Sequence, residues 1–157
     1  MQVVGPTFGA RLGSARVAEW IVDGNNVMGS RPDGWWRDRR GAQRRLVERF
    51  ERFAAARDQP VTVIFDGRAH DAGGGSRVAV RFARRAGRDA ADDDVAAVVA
   101  RHPEPASLTV VTSDGALADR VRAAGGEVVG GSLPARARRR RVAGARGRVA
   151  PGRCPPR

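Results

Sequence analysis

The sequence predicts an α/β fold in which a parallel sheet is covered by helices on both faces. Short runs of β-branched residues alternate with segments of helical period, which is typical of strand–helix–strand units. Several runs stop at an aspartate beside glycine or asparagine, as expected where a strand gives way to a loop. The 157 residues suffice for one domain with a buried core.

The first half of the chain predicts two strands with a helix between them. Residues 20–22 form a short apolar run before the turn signal at 23–26, so they predict a buried strand and its exit loop. Apolar residues recur at helical spacing over 41–57, with arginines and glutamates between them, which indicates an amphipathic helix. Residues 61–65 predict a second strand, which Asp66-Gly67 ends.

The second half repeats the alternation after a flexible glycine loop. Residues 78–82 alternate between apolar and polar or small side chains, as in a half-buried strand. The later predicted elements are a helix from about Asp92 to Arg101, a strand from Leu108 to Thr112, a helix after Gly115 and a short strand at 127–129.

The net charge of +12 lies mostly at the two ends of the chain. Residues 134–157 carry nine arginines and no acid, whereas residues 19–133 carry 18 arginines and all 17 acids. We therefore expect a disordered leader at 1–18, a folded domain at 19–133 and a disordered arginine-rich tail at 134–157. Every basic residue is arginine, as in GC-rich coding, so the arginine content alone does not indicate phosphate binding.

The sequence favours a cytoplasmic protein. No apolar run approaches the roughly 18 residues that cross a bilayer, so we expect no membrane contact. The N-terminus lacks the pattern of a secretory signal. One cysteine, Cys154, can form neither an internal disulfide nor a zinc site, which suits a reducing compartment.

Acidic residues follow the predicted strands. Asp23 follows the first strand, Asp66 the second and Asp114 the fourth, while Asp92-Asp93-Asp94 begins the helix after the third. The carboxyl ends of parallel strands meet at one edge of the sheet, where such folds bind ligands. Carboxylates gathered there repel one another unless a cation lies between them. Oxygen ligands without histidine or cysteine suit Mg²⁺ or Mn²⁺.

Each aspartate also has an ordinary structural explanation. Aspartate is a favoured N-cap, so Asp92 and Asp114 could simply cap helices. Asp23 and Asp66 could be turn residues, and Asp94 is expected to point off the shared face into solvent. The set of acids at corresponding places therefore carries more weight than any one of them.

Four short motifs follow one another along residues 20–133. They are Ile21-Val22-Asp23-Gly24-Asn25-Asn26-Val27, Val63-Ile64-Phe65-Asp66-Gly67, Ala91-Asp92-Asp93 and Val111-Thr112-Ser113-Asp114. In this order they resemble the NYN branch of the PIN-like nucleases, close to the YacP-like subgroup. The sequence departs from the family pattern at Asn25, where a tyrosine is common. The resemblance implies a PIN-like three-layer fold with a central, mostly parallel sheet flanked by helices.

The resemblance also implies a metal-dependent endoribonuclease, a hydrolase that cuts RNA phosphodiester bonds with a metal-activated water. Asn26 would support Asp23 or touch the substrate, and Ser113 would hold the loop of Asp114. Whether Asp66 joins the site, and how many ions bind, stays open. The residues that would carry Mg²⁺ or Mn²⁺ are Asp23, Asp92, Asp93 and Asp114.

Three other residues are candidates for contacts with RNA. Trp35, beside Trp36, could stack on unpaired bases, although a tryptophan pair near a helix start more often packs on the core. Arg84 and Arg85 could face RNA, and a solvated loop explains them equally well. A ribosome or other ribonucleoprotein could present the RNA. The low charge of 19–133 permits a homodimer without demanding one.

Two other functions compete with the nuclease. The same fold could bind RNA with little or no catalysis, and removing metal would then leave binding largely intact. A phosphohydrolase or receiver-like domain is disfavoured, because Asn25 stands where a haloacid-type phosphatase needs its second aspartate. A receiver also needs a lysine after a late strand, and the chain has none.

Overall fold

The computed structural model describes residues 18–85, 87 and 90–131, and a five-stranded sheet lies at their centre. All four pairings between neighbouring strands are parallel. The strand order is β3-β2-β1-β4-β5, which confirms the predicted α/β class with a central parallel sheet. The strands are β1 (Glu19–Asp23), β2 (Val61–Phe65), β3 (Val78–Phe82), β4 (Leu108–Val111) and β5 (Glu127–Val129).

Four α-helices connect or flank these strands. The three longer ones were predicted, with starts that differ by up to two residues. The helix at Gly24–Gly29 was not predicted, because the Asp-Gly-Asn-Asn sequence was interpreted as a turn. Asp23 caps this helix by accepting a hydrogen bond from the Asn26 amide, so the turn continues as helix. The helices are α1 (Gly24–Gly29), α2 (Arg39–Arg57), α3 (Ala90–Arg101) and α4 (Gly115–Ala123).

The sheet separates two apolar cores, because alternate side chains of a strand point to opposite faces. Trp20 and Val22 of β1 belong to the core that α1 and α2 cover, together with Phe50. Ile21 belongs to the core that α3 and α4 cover, together with Val95. The result is a three-layer arrangement in which the central strands are buried on both faces.

The strand order reverses at the contact between β1 and β4. From β1 the chain proceeds outward through β2 to β3, then crosses to β4 and β5 on the other side. Val22 pairs with Val111, so the residues that follow them, Asp23 and Thr112, emerge side by side. In open parallel sheets the crevice at such a reversal is the usual ligand site.

The ends of the chain are not tested by this structure. The leader predicted at 1–18, apart from Ala18, and the tail predicted at 134–157 lie outside the described residues, as does the end of the 19–133 domain. These bounds remain predictions. Within the described ranges, no helix is both long and apolar enough to cross a membrane.

Candidate active site at the carboxyl edge of the sheet

Asp23 is the centre of the site, because it is the last residue of the central strand. Only 2% of its surface is exposed. Oδ1 accepts a hydrogen bond of 3.2 Å from the Asn26 amide, and Oδ2 accepts one of 3.1 Å from the Thr112 hydroxyl. A nearly buried carboxylate with these two donors is fixed in one orientation.

The surroundings of Asp23 raise its pKa above the ordinary value. Burial is the main cause, since desolvation disfavours the charged form. The negative charge of Asp66 raises the pKa further, while the hydrogen bonds from Asn26 and Thr112 oppose the rise. An interaction with the side chain of Asp92 also opposes it, so Asp92 lies beside Asp23. Three carboxyl groups therefore interact here.

Asp66 follows β2 and holds two elements with its two oxygens. Oδ1 accepts a hydrogen bond from the Ala91 amide at 2.6 Å, in the first turn of α3. Oδ2 accepts one from the Asn25 side chain at 2.8 Å. Asp66 thus fixes the start of α3, where Asp92 lies, against the exit of β1. The alternative that it is only a local turn residue is inconsistent with contacts so distant in sequence.

The exit of β1 passes close to β2 at Gly24. A Cβ atom there would collide with the ring of Phe65, so only glycine allows this approach. The approach brings Asn25 beside Asp66. The side-chain Oδ1 of Asn25 is buried and has no hydrogen-bond partner among the described residues. A buried acceptor without a donor costs free energy, so a donor that reached this oxygen would stabilise the site.

Thr112 and Asp114 follow β4. The Thr112 hydroxyl, which donates to Asp23, also accepts a hydrogen bond of 3.1 Å from the Asp114 amide. Asp114 Oδ1 accepts one of 2.8 Å from the Leu117 amide and caps α4. Asp114 therefore does cap the helix, and the Thr112 hydroxyl links the backbone of this half-buried residue to the Asp23 carboxylate.

Asn26 and Ser113 join the loops that follow β1, β4 and β5. Asn26 Oδ1 accepts a hydrogen bond of 2.7 Å from the Ser113 amide. Ser113 Oγ accepts one of 2.9 Å from the Gly131 amide. The backbone of Asn26, rather than its side chain, supports Asp23. In the structure both side chains contact protein backbone groups, which suits a positioning role.

The three successive aspartates of α3 have different surroundings. Asp92 contacts Asp23, whereas the exposed Asp93 forms an ion pair of 3.0 Å with Arg120 of α4. Asp94 was expected to be solvated, but its Oδ2 accepts a hydrogen bond of 3.0 Å from the Arg84 amide. It therefore ties α3 to the loop after β3. Of the three, Asp92 has a contact with Asp23.

The two neighbouring tryptophans differ in exposure. Trp35 is half-buried and packs against the core that α1 and α2 cover. Trp36 is 61% exposed, and its ring meets that of Trp35 edge to face. The sequence analysis singled out Trp35 for base stacking, but Trp36 presents more surface. Sequence alone could not decide between adjacent residues in a loop.

Arg84 and Arg85 line a cavity of about 620 Å³ that also includes Asp66. Two further arginines, Arg39 and Arg68, line the same cavity. The sequence analysis missed these two, because they come from separate segments that only the fold brings together. The signal available in the sequence was that Arg68 follows closely after Asp66 at a strand end.

The donor set suits Mg²⁺ or Mn²⁺ in its chemistry. The groups that act on Asp23 are the oxygen-bearing side chains of Asp66 and Asp92, and burial makes the ionised form of Asp23 costly without a cation. The orphaned Asn25 Oδ1 could accept a hydrogen bond from a water on such an ion. The described residues contain no group of three acidic, histidine or cysteine side chains arranged to hold a metal. Mg²⁺ often binds through only one or two carboxylates, with waters and substrate phosphate completing its shell.

Comparisons with known proteins agree with this fold. In a crystal structure of Rae1 (YacP) from Bacillus subtilis, a W164L mutant, the chain superposes with a TM-score of 0.59 at 20% sequence identity. The match covers 72% of this chain and 69% of that one, and at this identity it shows the fold alone. No curated protein is significantly similar in sequence.

The family is shown by a sequence model rather than by one relative. The model of the YacP-like NYN domain matches residues 20–133, which include the described strands and helices, apart from Glu19 at the start of β1, and all the carboxylates of the site. NYN domains are generally nucleases, so the fold is of a nuclease-like, RNA-related kind. The chain belongs to the family of YacP-like NYN domains.

Proposed function

We propose that the protein is a metal-dependent endoribonuclease whose active site is centred on Asp23. The observation that carries the proposal is the interaction of Asp23 with Asp92 and Asp66 at the point where the strand order reverses. Burial and the charge of Asp66 disfavour the ionised form of Asp23, and a carboxyl group in such surroundings is common where a cation is to bind. Family membership supplies the substrate class, which is RNA.

In this proposal, Asp23, Asp92 and Asp114 would hold the ion, and Asp114 also caps α4 through its Oδ1. A Mg²⁺ or Mn²⁺ ion would lower the pKa of a water and stabilise the negative charge that develops on the phosphate. The hydrogen bonds from Thr112 and Asn26 fix the Asp23 carboxylate, so little reorganisation is needed as RNA binds.

Asp93 was predicted as a fourth ligand, and its ion pair with Arg120 suggests a different role. In that position its charge is compensated by the guanidinium group 3.0 Å away. We propose that Asp93 acts mainly by holding α3 against α4, which keeps Asp92 in place. The contrast between these adjacent aspartates can be tested directly.

A non-catalytic RNA-binding module remains the second candidate. The observation in its favour is that the described residues contain no ready group of three metal ligands. A binding module would need the arginines of the cavity but not the carboxylates. Substitution of the carboxylates therefore distinguishes the two functions.

The test is cleavage of a labelled RNA that contains both paired and unpaired segments, with Mg²⁺ or Mn²⁺ present. The wild type should cut it, and chelation of the metal should stop the reaction. Asp23→Asn and Asp114→Asn should each remove cutting while leaving the protein folded and able to bind RNA. Binding without cutting by the wild type, with either metal, would favour the binding module.

We also propose a cytoplasmic location. Whether the protein cuts free RNA or RNA held by another particle is a separate question. A ribosome or other ribonucleoprotein could deliver the substrate, and a homodimer could form. Cleavage of free RNA compared with RNA held in ribonucleoprotein particles, together with the mass of the protein in solution, decides these points.

A further inference from the structure

A cleft that contains four arginines opens beside the carboxylates, at the carboxyl ends of β2 and β3. Arg39 begins α2, Arg68 follows β2, and Arg84 and Arg85 follow β3. The lining contains one carboxylate, that of Asp66, so positive charge is in excess. Asp66 Oδ1 also accepts the hydrogen bond from the Ala91 amide, next to Asp92, so the cleft adjoins the proposed active site.

Among the described residues, the guanidinium groups of this arginine cleft have no carboxylate partners. In the described part of the chain, none of the four forms an ion pair or a side-chain hydrogen bond. Arg77 and Arg120, by contrast, each pair with an aspartate, at 2.8 and 3.0 Å. Cations that share a cleft without counter-charges favour the binding of an anion.

The position of these arginines in one cleft, rather than the arginine content of the chain, indicates an anion site. A coding bias raises the number of arginines throughout the chain, but it does not bring four of them from three separate segments to one cleft. Guanidinium groups match the oxygens of a phosphate with two parallel hydrogen bonds. A cleft beside the site of phosphodiester cleavage is therefore suited to the neighbouring phosphates of the same strand.

We propose that the arginine cleft holds the phosphates of a single RNA strand on the β3 side of the active site. The inference rests on the proposed function, because it places the scissile phosphate at Asp23. Trp36 favours a single strand, since it is 61% exposed and stands three residues before Arg39. Its ring can stack on an unpaired base, whereas a duplex keeps its bases paired and stacked inside.

The experiment compares two double variants of equal charge. The cleft variant is Arg68→Gln with Arg84→Gln. The control is Arg44→Gln with Arg52→Gln, which removes two exposed arginines of α2 that do not line the cleft. Binding of a fluorescent single-stranded RNA is measured by anisotropy in EDTA over a range of salt concentrations, so cleavage does not interfere. An RNA duplex of the same length serves as a competitor.

The cleft variant should bind the single strand about tenfold or more weakly than the wild type at moderate salt. The negative slope of the log of the binding constant against log salt should become shallower by about 1.4. Each lost phosphate contact removes roughly 0.7 from its magnitude for a single strand. The control should keep both the affinity and the slope. Equal losses in the two variants, no loss in either, or a duplex that competes as well as the single strand would each overturn the proposal.

Cleavage with Mn²⁺ separates this proposal from the proposed function. In the cleft variant KM should rise while kcat changes little, since the carboxylates are intact. A wild type that binds RNA through the cleft but never cuts it would refute the nuclease and support the cleft. A cleft variant that cuts with unchanged KM would refute the cleft and support the nuclease.

Discussion

The hydroxyl group of Thr112 donates a hydrogen bond of 3.1 Å to the buried carboxylate of Asp23, which is 89 residues away in sequence. The same hydroxyl accepts a hydrogen bond from the amide of Asp114. One side chain thus relates two of the proposed catalytic acids at the reversal of strand order. The geometry of the site depends on this relationship between the ends of β1 and β4.

Replacement of Thr112 by valine should loosen the site without removing any carboxylate. The Asp114 amide would lose its acceptor and Asp23 a donor, so the free energy of unfolding should fall by about 1–3 kcal/mol. The Mn²⁺ concentration for half-maximal cleavage should rise as well. Thr112→Ser keeps the hydroxyl and should restore the metal requirement. If valine and serine give the same metal dependence, Thr112 has only a packing role.

Asp66 should act as a positioning residue. Its two oxygens already accept hydrogen bonds from Ala91 and Asn25, and asparagine can keep the first of them. The Asn25 side chain can rotate to present its orphaned oxygen to the new amide. Asp66→Asn should therefore fold and retain cleavage within about tenfold of the wild type. A loss as large as that of Asp23→Asn would instead make Asp66 a metal ligand.

The raised pKa of Asp23 predicts a pH dependence of stability in the metal-free protein. A carboxyl group whose pKa is higher in the folded state binds more protons when folded, so its contribution to stability falls as pH rises from about 3.8 through the raised value. Asp23→Asn removes this effect. Urea unfolding in EDTA from pH 4 to 7 should show the wild type losing stability relative to the variant. A difference in unfolding free energy between the wild type and Asp23→Asn that stays constant from pH 4 to 7 would contradict the raised pKa.

The two adjacent tryptophans should have separate roles. Trp36→Ala should weaken binding of single-stranded RNA by about 1–3 kcal/mol, because an exposed ring that stacks on a base is lost. Its unfolding free energy should change by less than about 0.5 kcal/mol. Trp35→Ala should instead lower the unfolding free energy by more than about 1 kcal/mol, since this ring packs on the core. Binding and unfolding measurements on both variants test these roles. Loss of RNA binding in Trp35→Ala without loss of stability, or loss of stability in Trp36→Ala without loss of binding, would contradict them.

Most of the fold could be predicted from the sequence, because its strands are short runs rich in β-branched residues, and turn signals bound several of them. β2, β3 and β5 have the predicted bounds, and α2 has a strong helical period. α1 was missed, since six residues are too few to show a period and its first residues match a turn. Its cap, the hydrogen bond from the Asn26 amide to Asp23, and the burial of Val27 and Met28 become visible only in the structure.

The placement of the acids was predictable in outline. The spacing of aspartates after strands predicted that Asp23, Asp92 and Asp114 lie at one edge of the sheet, because parallel strands end there, while their roles as metal ligands remain predictions. The bridging role of Asp66 and the contributions of Arg39 and Arg68 to the cleft depend on which loops meet across the sheet. Sequence periodicity contains no information about such contacts.

The most direct test of the account compares Asp92→Asn with Asp93→Asn in Mn²⁺-dependent cleavage. These residues are adjacent on α3, yet Asp92 contacts Asp23 while Asp93 pairs with Arg120. Asp92→Asn should lower kcat at least about 100-fold, as expected when several kcal/mol of charge stabilisation is lost, and should raise the Mn²⁺ requirement. Asp93→Asn should stay within a few-fold of the wild type. Equal losses in the two variants, or full activity of Asp92→Asn, would contradict an active site built on Asp23 and Asp92.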